Sequence, residues 1–211
     1  MPVGTTLNPG DETDAYRFAA AAGSRVYFDY ISRTGLGNAY WRCFDPFGNQ
    51  IFGNFLSDAG PYTLPLNGLY TLLVEGHPTD PDSGSYAVHV VPVIDTTQPL
   101  ILGSVISSDI NSPGQSRHYT FTLASSVRLY FDSLANNALR WLLAGPDGIE
   151  VNNRGFNSAD YTLAPLDLTP GDYRLTVTGN ADDTNSFAFR LFDLAAATPF
   201  TPGDIVGNTL N

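Results

Sequence analysis

Apolar residues recur at every second position over short stretches of the chain. Examples are Tyr16, Phe18 and Ala20; Val26, Phe28 and Tyr30; Tyr70, Leu72 and Val74; Leu139, Trp141 and Leu143; and Tyr173, Leu175 and Val177. A period of two places alternate side chains on opposite faces of an extended strand, so each stretch predicts a strand with one buried face. Turn sequences separate them: Asn8-Pro9-Gly10-Asp11, Asp45-Pro46-Phe47-Gly48, Asn67-Gly68, Gly145-Pro146-Asp147-Gly148 and Thr169-Pro170-Gly171-Asp172. Twenty Gly and 15 Pro, spread throughout, leave little room for helices. The pattern predicts an all-β chain.

The strands occur twice, in the same order. Tyr16-Arg17-Phe18 and Arg25-Val26-Tyr27-Phe28-Asp29 match Tyr119-Thr120-Phe121 and Arg128-Leu129-Tyr130-Phe131-Asp132. Trp41 with Pro46-Phe47-Gly48 matches Trp141 with Pro146-Asp147-Gly148. Gly68-Leu69-Tyr70 matches Gly171-Asp172-Tyr173, and Ser85-Tyr86-Ala87-Val88 matches Ser186-Phe187-Ala188-Phe189. Ordered self-similarity of this kind marks a repeat. The expected architecture is two tandem antiparallel β-sandwich domains of jelly-roll or Greek-key type, residues 1–94 and 103–195, joined by a linker at 95–102. Gly207-Asn208-Thr209-Leu210-Asn211 repeats Gly4-Thr5-Thr6-Leu7-Asn8. Residues 196–211 are therefore expected to hold a second linker and the start of a third copy, the chain being part of a longer array.

Charge narrows the partners. Twenty-one acidic residues face 10 basic ones, all Arg, for a net charge of −11. Such a surface repels phosphate backbones and anionic headgroups, which argues against nucleic acid and membrane docking. No apolar run approaches the roughly 20 residues that span a bilayer. Like charge predicts a monomer in isolation. The acidity suits an extracellular setting and divalent cations, or serves solubility alone. The single cysteine, Cys43, aligns with Leu143 and reads as a small buried hydrophobe.

These motifs together resemble the bacterial pre-peptidase C-terminal domain family. The residues that carry the likeness are Gly10 to Phe18, an acidic turn leading into an aromatic strand; Gly23 with Val26 to Phe28; the turns Asp45 to Gly48 and Pro146 to Gly148; and the strands Gly68 to Val74 and Gly84 to Val88. The resemblance covers both copies. It implies a small jelly-roll sandwich and a non-catalytic module of a secreted or cell-surface protein, acting as a structural or adhesive spacer. Its alternative is a carbohydrate- or protein-binding accessory domain of an extracellular hydrolase. Some relatives bind calcium through the acidic turn.

Two candidate sites follow, both in the first copy. Asp11, Glu12 and Asp14 place three carboxylates within four residues, part of the oxygen shell calcium needs. Asp29 or the loop 79–83 would have to complete it; the other reading is a solvated turn. The second copy has Pro113-Gly114-Gln115-Ser116-Arg117-His118 there, and no calcium is expected on it. The second candidate is an outward sheet face. With Trp41 and Cys43 inward, Tyr40, Arg42 and Phe44 point outward, and Tyr27 is out of phase with Val26 and Phe28. Aromatic rings beside Arg suit stacking on a polysaccharide or an extracellular protein, unless the face is covered by the partner sheet or the neighbouring domain. No G-x-S-x-G, H-E-x-x-H or C-x-x-C motif occurs, and His77, His89 and His118 have no counterpart histidines in the other copy. The expectation is that the chain is not an enzyme.

Overall fold

The computed structural model describes residues 2–80 and 83–207. The first eight strands are β1 (Val3–Leu7), β2 (Thr13–Ala20), β3 (Arg25–Thr34), β4 (Tyr40–Phe44), β5 (Gln50–Phe55), β6 (Ala59–Thr63), β7 (Gly68–Glu75) and β8 (Gly84–Val93). They form two four-stranded sheets, ordered β1-β8-β3-β6 and β2-β7-β4-β5. All pairings within them are antiparallel. The chain passes repeatedly from one sheet to the other, which is the jelly-roll arrangement of a β-sandwich.

After β9 (Thr96–Pro99) the pattern returns: β10 (Val105–Ile110), β11 (Ser116–Leu123), β12 (Val127–Ser133), β13 (Arg140–Gly145), β14 (Gly148–Gly155), β15 (Leu166–Leu168), β16 (Gly171–Thr178) and β17 (Asn185–Asp193). Their sheets are ordered β10-β17-β12-β15 and β14-β13-β16-β11-β9. With β9 set aside, each strand occupies the place of its counterpart. The chain is two tandem β-sandwiches, as its periodicity predicts.

Each sandwich has its own aromatic core. In the first, Phe28, Trp41 and Tyr70 are fully buried, and Phe28 meets Trp41 edge-on at 6.0 Å. In the second, Phe131 stacks on Trp141 at 3.9 Å and 11°. Cys43 and Leu143 are both 0% exposed and share one core position. Burial pushes the Cys43 thiol up to about 12, so it stays protonated.

Small polar devices repeat with the cores. The Tyr70 hydroxyl donates to the Leu66 carbonyl at 2.9 Å, and the Tyr173 hydroxyl donates to the Thr169 carbonyl at the same distance and spacing. Gly68 and Gly171, at φ +144° and +148°, open β7 and β16; a Cβ on either would lie 2.7 Å from the ring of Pro46 or Pro146. Both the positive φ and the proline contact require glycine there. Pro46 and Pro146, like Gly68 and Gly171, recur in the two copies, and so does this contact.

Residues 96–99, within the segment expected to act as a linker, are a strand. β9 pairs parallel with β11, Thr96 to Pro99 lying opposite Arg117 to Thr120. Leu100 then donates its N–H to the Thr120 carbonyl at 2.8 Å and is buried, 6% exposed, in the second core. The connection is thus part of the second sandwich. Of the expected third copy, residues 208–211 lie outside the described residues.

Candidate functional site

The acidic turn serves the fold. A Glu12 carboxylate oxygen accepts the Asn8 N–H at 3.0 Å, and Gln115 accepts the Asn111 N–H at 3.0 Å in the second copy. The two residues close one turn in the same way, four positions after an asparagine. Asp14 stands half-buried on β2 and accepts the Tyr86 hydroxyl at 2.7 Å, while the Tyr86 and Tyr16 hydroxyls meet at 2.5 Å. Burial, then the bonds to Tyr16 and Asp14, push the Tyr86 phenol up. Asp11 is exposed. In the 79–83 loop, Asp80 accepts the Asn38 N–H at 2.9 Å; Pro81 and Asp82 lie outside the described residues. Among the described residues no group of three or more His, Cys, Asp or Glu side chains could hold a metal ion. The histidines are also dispersed, His77 in a loop, His89 on β8 and His118 on β11.

Tyr40, Arg42 and Phe44 share the outer face of the β2-β7-β4-β5 sheet, each half-buried, while Trp41 and Cys43 are 0% exposed. The Arg42 guanidinium makes two hydrogen bonds to Glu75, at 2.6 and 2.5 Å, and lies 5.2 Å from the centre of the Phe44 ring. The bond to Glu75 raises the arginine's pKa and neutralises its charge locally. Tyr40 meets Phe55 edge-on at 5.6 Å. Gly53 lies opposite Arg42 on β5; a Cβ there would lie 3.2 Å from both the Arg42 stem and the Tyr40 ring, so glycine leaves both side chains room. Phe55 is 58% exposed at the patch edge. In the second copy Arg140, Leu142 and Ala144 occupy the corresponding positions.

Tyr27 does not join this patch. Its phase on β3 is outward, as read from the sequence, but it is 3% exposed and packs with Val91 and Val93. The expectation of an accessible ring is corrected: the second sandwich covers it. Gly114 lies so close that a Cβ there would stand 2.8 Å from the Tyr27 ring.

That covered face belongs to a junction that the sequence reading allowed for but whose residues it did not single out. The Asp95 carboxylate pairs with Arg25 of the first sandwich, accepts the Ser116 N–H at 2.9 Å and lies 4.0 Å from the His118 ring. Gln115 donates to the Ile94 carbonyl at 2.8 Å, and Arg117 donates to the Thr96 hydroxyl at 3.0 Å. Although Asp95 is near, burial, then Arg174 and Arg25, holds His118 below its ordinary value. A cleft of about 370 Å³ runs between the sandwiches, lined by Tyr27, Asp58 and Pro61 on one side and Ser116, Thr178 and Ala181 on the other. The one legible signal was the shared Asn-x-x-x-Glu/Gln spacing, which marks Gln115 as structural.

Burial, then Asp58 and Asp182, raises the Asp29 carboxyl above its ordinary value, against an opposing pull from His89. A carboxyl raised in the folded state carries no penalty when protonated in both states. Stability is lost as pH rises through the folded value. Asp29→Asn is therefore expected to raise the thermal midpoint at about pH 7 and leave it nearly unchanged below about pH 3. Melting curves at the two pH values check this; a lower midpoint at neutral pH contradicts it.

No protein-family model matches the chain, and no curated protein matches it in sequence. Among solved structures, the CUB1-EGF-CUB2 domain of human MASP-1/3 aligns with a TM-score of 0.32 and 10% identity, over 90% of this chain and 99% of that one. A superposition this loose says nothing about function. No helix among the described residues is long and apolar enough to cross a membrane. What the chain's own geometry establishes is a pair of β-sandwiches with a common plan and a shared junction.

Proposed function

We propose that the chain is a non-catalytic pair of repeat modules, 1–94 and 103–195 connected through 95–102, acting as a stiff spacer in a secreted or cell-surface protein. The observation that supports this best is the connection itself: β9 is hydrogen-bonded into the second sandwich, and Asp95 ties it to Arg25 of the first. A connection held along its length transmits orientation from one module to the next, as a flexible tether does not. The acidic, lysine-free surface fits an exported protein, and the ordered motifs favour kinship with pre-peptidase C-terminal domains. Calcium plays no part in this reading, because Glu12 and Asp14 already hold the turn and β2. Small-angle scattering of dilute protein is expected to fit one fixed arrangement of two bodies. A profile that requires a broad ensemble of interdomain angles overturns the spacer reading.

A second reading has one observation in its favour. Tyr40, Arg42 and Phe44 lie on one outer face beside exposed Phe55, a surface suited to a polysaccharide or an extracellular protein. Binding in a glycan array or polymer pull-down, lost in Tyr40→Ala and Arg42→Ala, supports it. No binding, or binding that both variants retain, removes it.

A further inference from the structure

The covered face of the first sandwich has three rows, set by the pairing of β3 with β8. Arg25 lies opposite Val93, Tyr27 opposite Val91 and Asp29 opposite His89. Arg25 is tied to Asp95, at the connection between the sandwiches. Tyr27 and Val91 are buried and form the apolar middle row, with Gly114 against the Tyr27 ring. Asp29 and His89, both half-buried, form the last row. Asp29 is four residues beyond Arg25, about 13 Å along the strand. The Asp95 tie thus holds one end of the face, and the Asp29–His89 row lies at the other.

Carboxylates from both sandwiches meet at that far end. Asp58, just before β6, lines the cleft and accepts the Tyr30 N–H at 2.9 Å. Ala181 lines the opposite lip, and Asp182 follows it in the loop between β16 and β17. Asp58 and Asp182 both act on Asp29, and His89 opposes them. Burial, then Asp58, Asp182 and Asp29, pushes the Tyr27 phenol up, so it stays protonated. Asp29 and Asp58 of the first sandwich therefore face Asp182 of the second, and their like charges repel across the cleft.

The second copy holds the corresponding carboxylate differently. Asp132 lies opposite Arg190 on β17, as Asp29 lies opposite His89 on β8, and the guanidinium donates to the carboxylate at 2.6 Å. Arginine keeps its charge at every physiological pH, so that aspartate is always balanced. The first copy has at the same position a histidine, whose charge changes between about pH 5 and 8. We infer that Asp29, His89 and Asp58, facing Asp182 of the second sandwich, form a pH-responsive latch at the far end of the junction, which tightens as pH falls.

Two protonations act in one direction. A proton on His89 supplies the cation that Arg190 supplies permanently in the second copy. A proton on Asp29 removes one of the repelling charges. Closing the junction crowds the carboxylates, so it favours uptake of either proton, and proton uptake in turn favours closure. Closure is promoted as pH falls and relieved as pH rises. His118 acts the other way at the tied end, beside Asp95, where burial, then Arg174 and Arg25, holds it below its ordinary value. Its charging therefore belongs to lower pH, and the latch is read between about pH 8 and pH 6.

The latch regulates the junction of the stiff spacer and rests on that reading, but the two fail separately. A broad ensemble of angles in scattering at neutral pH removes the spacer, whereas a junction indifferent to pH removes the latch. Hydroxyl-radical footprinting of the whole chain reads the junction directly, because the second sandwich is what covers Tyr27. Labelling of Tyr27 is taken relative to Tyr161, which is 87% exposed. The ratio is expected to fall about two- to fivefold from about pH 8 to about pH 6, the range of a partly exposed ion pair. His89→Arg is expected to give the low ratio at both pH values. Asp182→Asn is expected to lower the ratio at the higher pH, and far-ultraviolet dichroism checks that both variants fold. A native ratio that is equal at the two pH values overturns the inference. So does a pH dependence that His89→Arg retains in full, or a ratio at the higher pH that Asp182→Asn leaves unchanged.

Discussion

Trp141→Ala is expected to destabilise the second sandwich by about 3–5 kcal/mol, as large-to-small changes at buried aromatic sites do. Trp141 is 1% exposed and stacked on Phe131, whose ring in turn stacks on Phe189 at 5.3 Å. Removing the indole opens a cavity in the middle of that stack, where a jelly roll cannot collapse without moving both sheets. The loss is a large fraction of the roughly 5–15 kcal/mol that holds a domain. The chain has two tryptophans, so the variant leaves Trp41 as its sole indole. Fluorescence then follows the first sandwich, and far-ultraviolet dichroism follows both. The expected result is an early dichroism transition without a fluorescence change. A stability loss below about 1 kcal/mol would mean that the stack contributes little beyond surface burial. Trp41→Phe is expected to cost less, because the Trp41 indole N–H is buried with no hydrogen-bond partner among the described residues. Phenylalanine removes that unsatisfied donor together with part of the packed area.

Asp95→Ala is expected to loosen the junction without unfolding either sandwich. The change removes the partner of Arg25 and leaves the Ser116 N–H without its acceptor. A donor left unsatisfied in a protected site costs about 1–3 kcal/mol, here toward the low end because the Arg25 and Asp95 side chains remain partly exposed. Amide exchange at Thr96, Thr97 and Leu100 should quicken, and scattering should change from one fixed shape to a distribution. Asp95→Asn keeps an acceptor for Ser116 and is expected to retain part of the protection. Unchanged exchange and unchanged scattering in Asp95→Ala would remove Asp95 from its assigned role. Acid acts in the same direction. His118 is held below its ordinary 6.5 in the folded chain, so the unfolded chain takes up the proton first. Stability contributed there is present above 6.5 and declines as pH falls through the lowered folded value.

Much of the fold was legible because its devices come in pairs. Trp41 and Trp141, Tyr70 and Tyr173, and Gly68 and Gly171 each keep one environment, so a motif seen twice could be read as architecture. Alternation also gave the phase of Tyr27 and of Tyr40, Arg42 and Phe44 correctly. It could not give what covers a face. Tyr27 is hidden by Gly114, far away in sequence, and no local period carries that fact. The β9 strand was illegible for a related reason. Its four residues lack alternation and end in proline, and their strand geometry comes from pairing with β11. The acidic turn looked like a ligand set because charge is conspicuous in sequence. Glu12 and Asp14 instead accept hydrogen bonds that only the folded chain brings to them.

The position of β9 also bears on how such units can be exchanged between genes. The sequence repeat suggests cutting near residue 103, where the second series of strands starts. A cut there strands Thr96 to Leu100 with the wrong neighbour: the transferred second sandwich loses an edge strand and a core residue, and the first sandwich left behind keeps an unpaired apolar tail. A transferable second module begins upstream of Asp95, so the frame in which the copies duplicate is offset from the frame in which they fold.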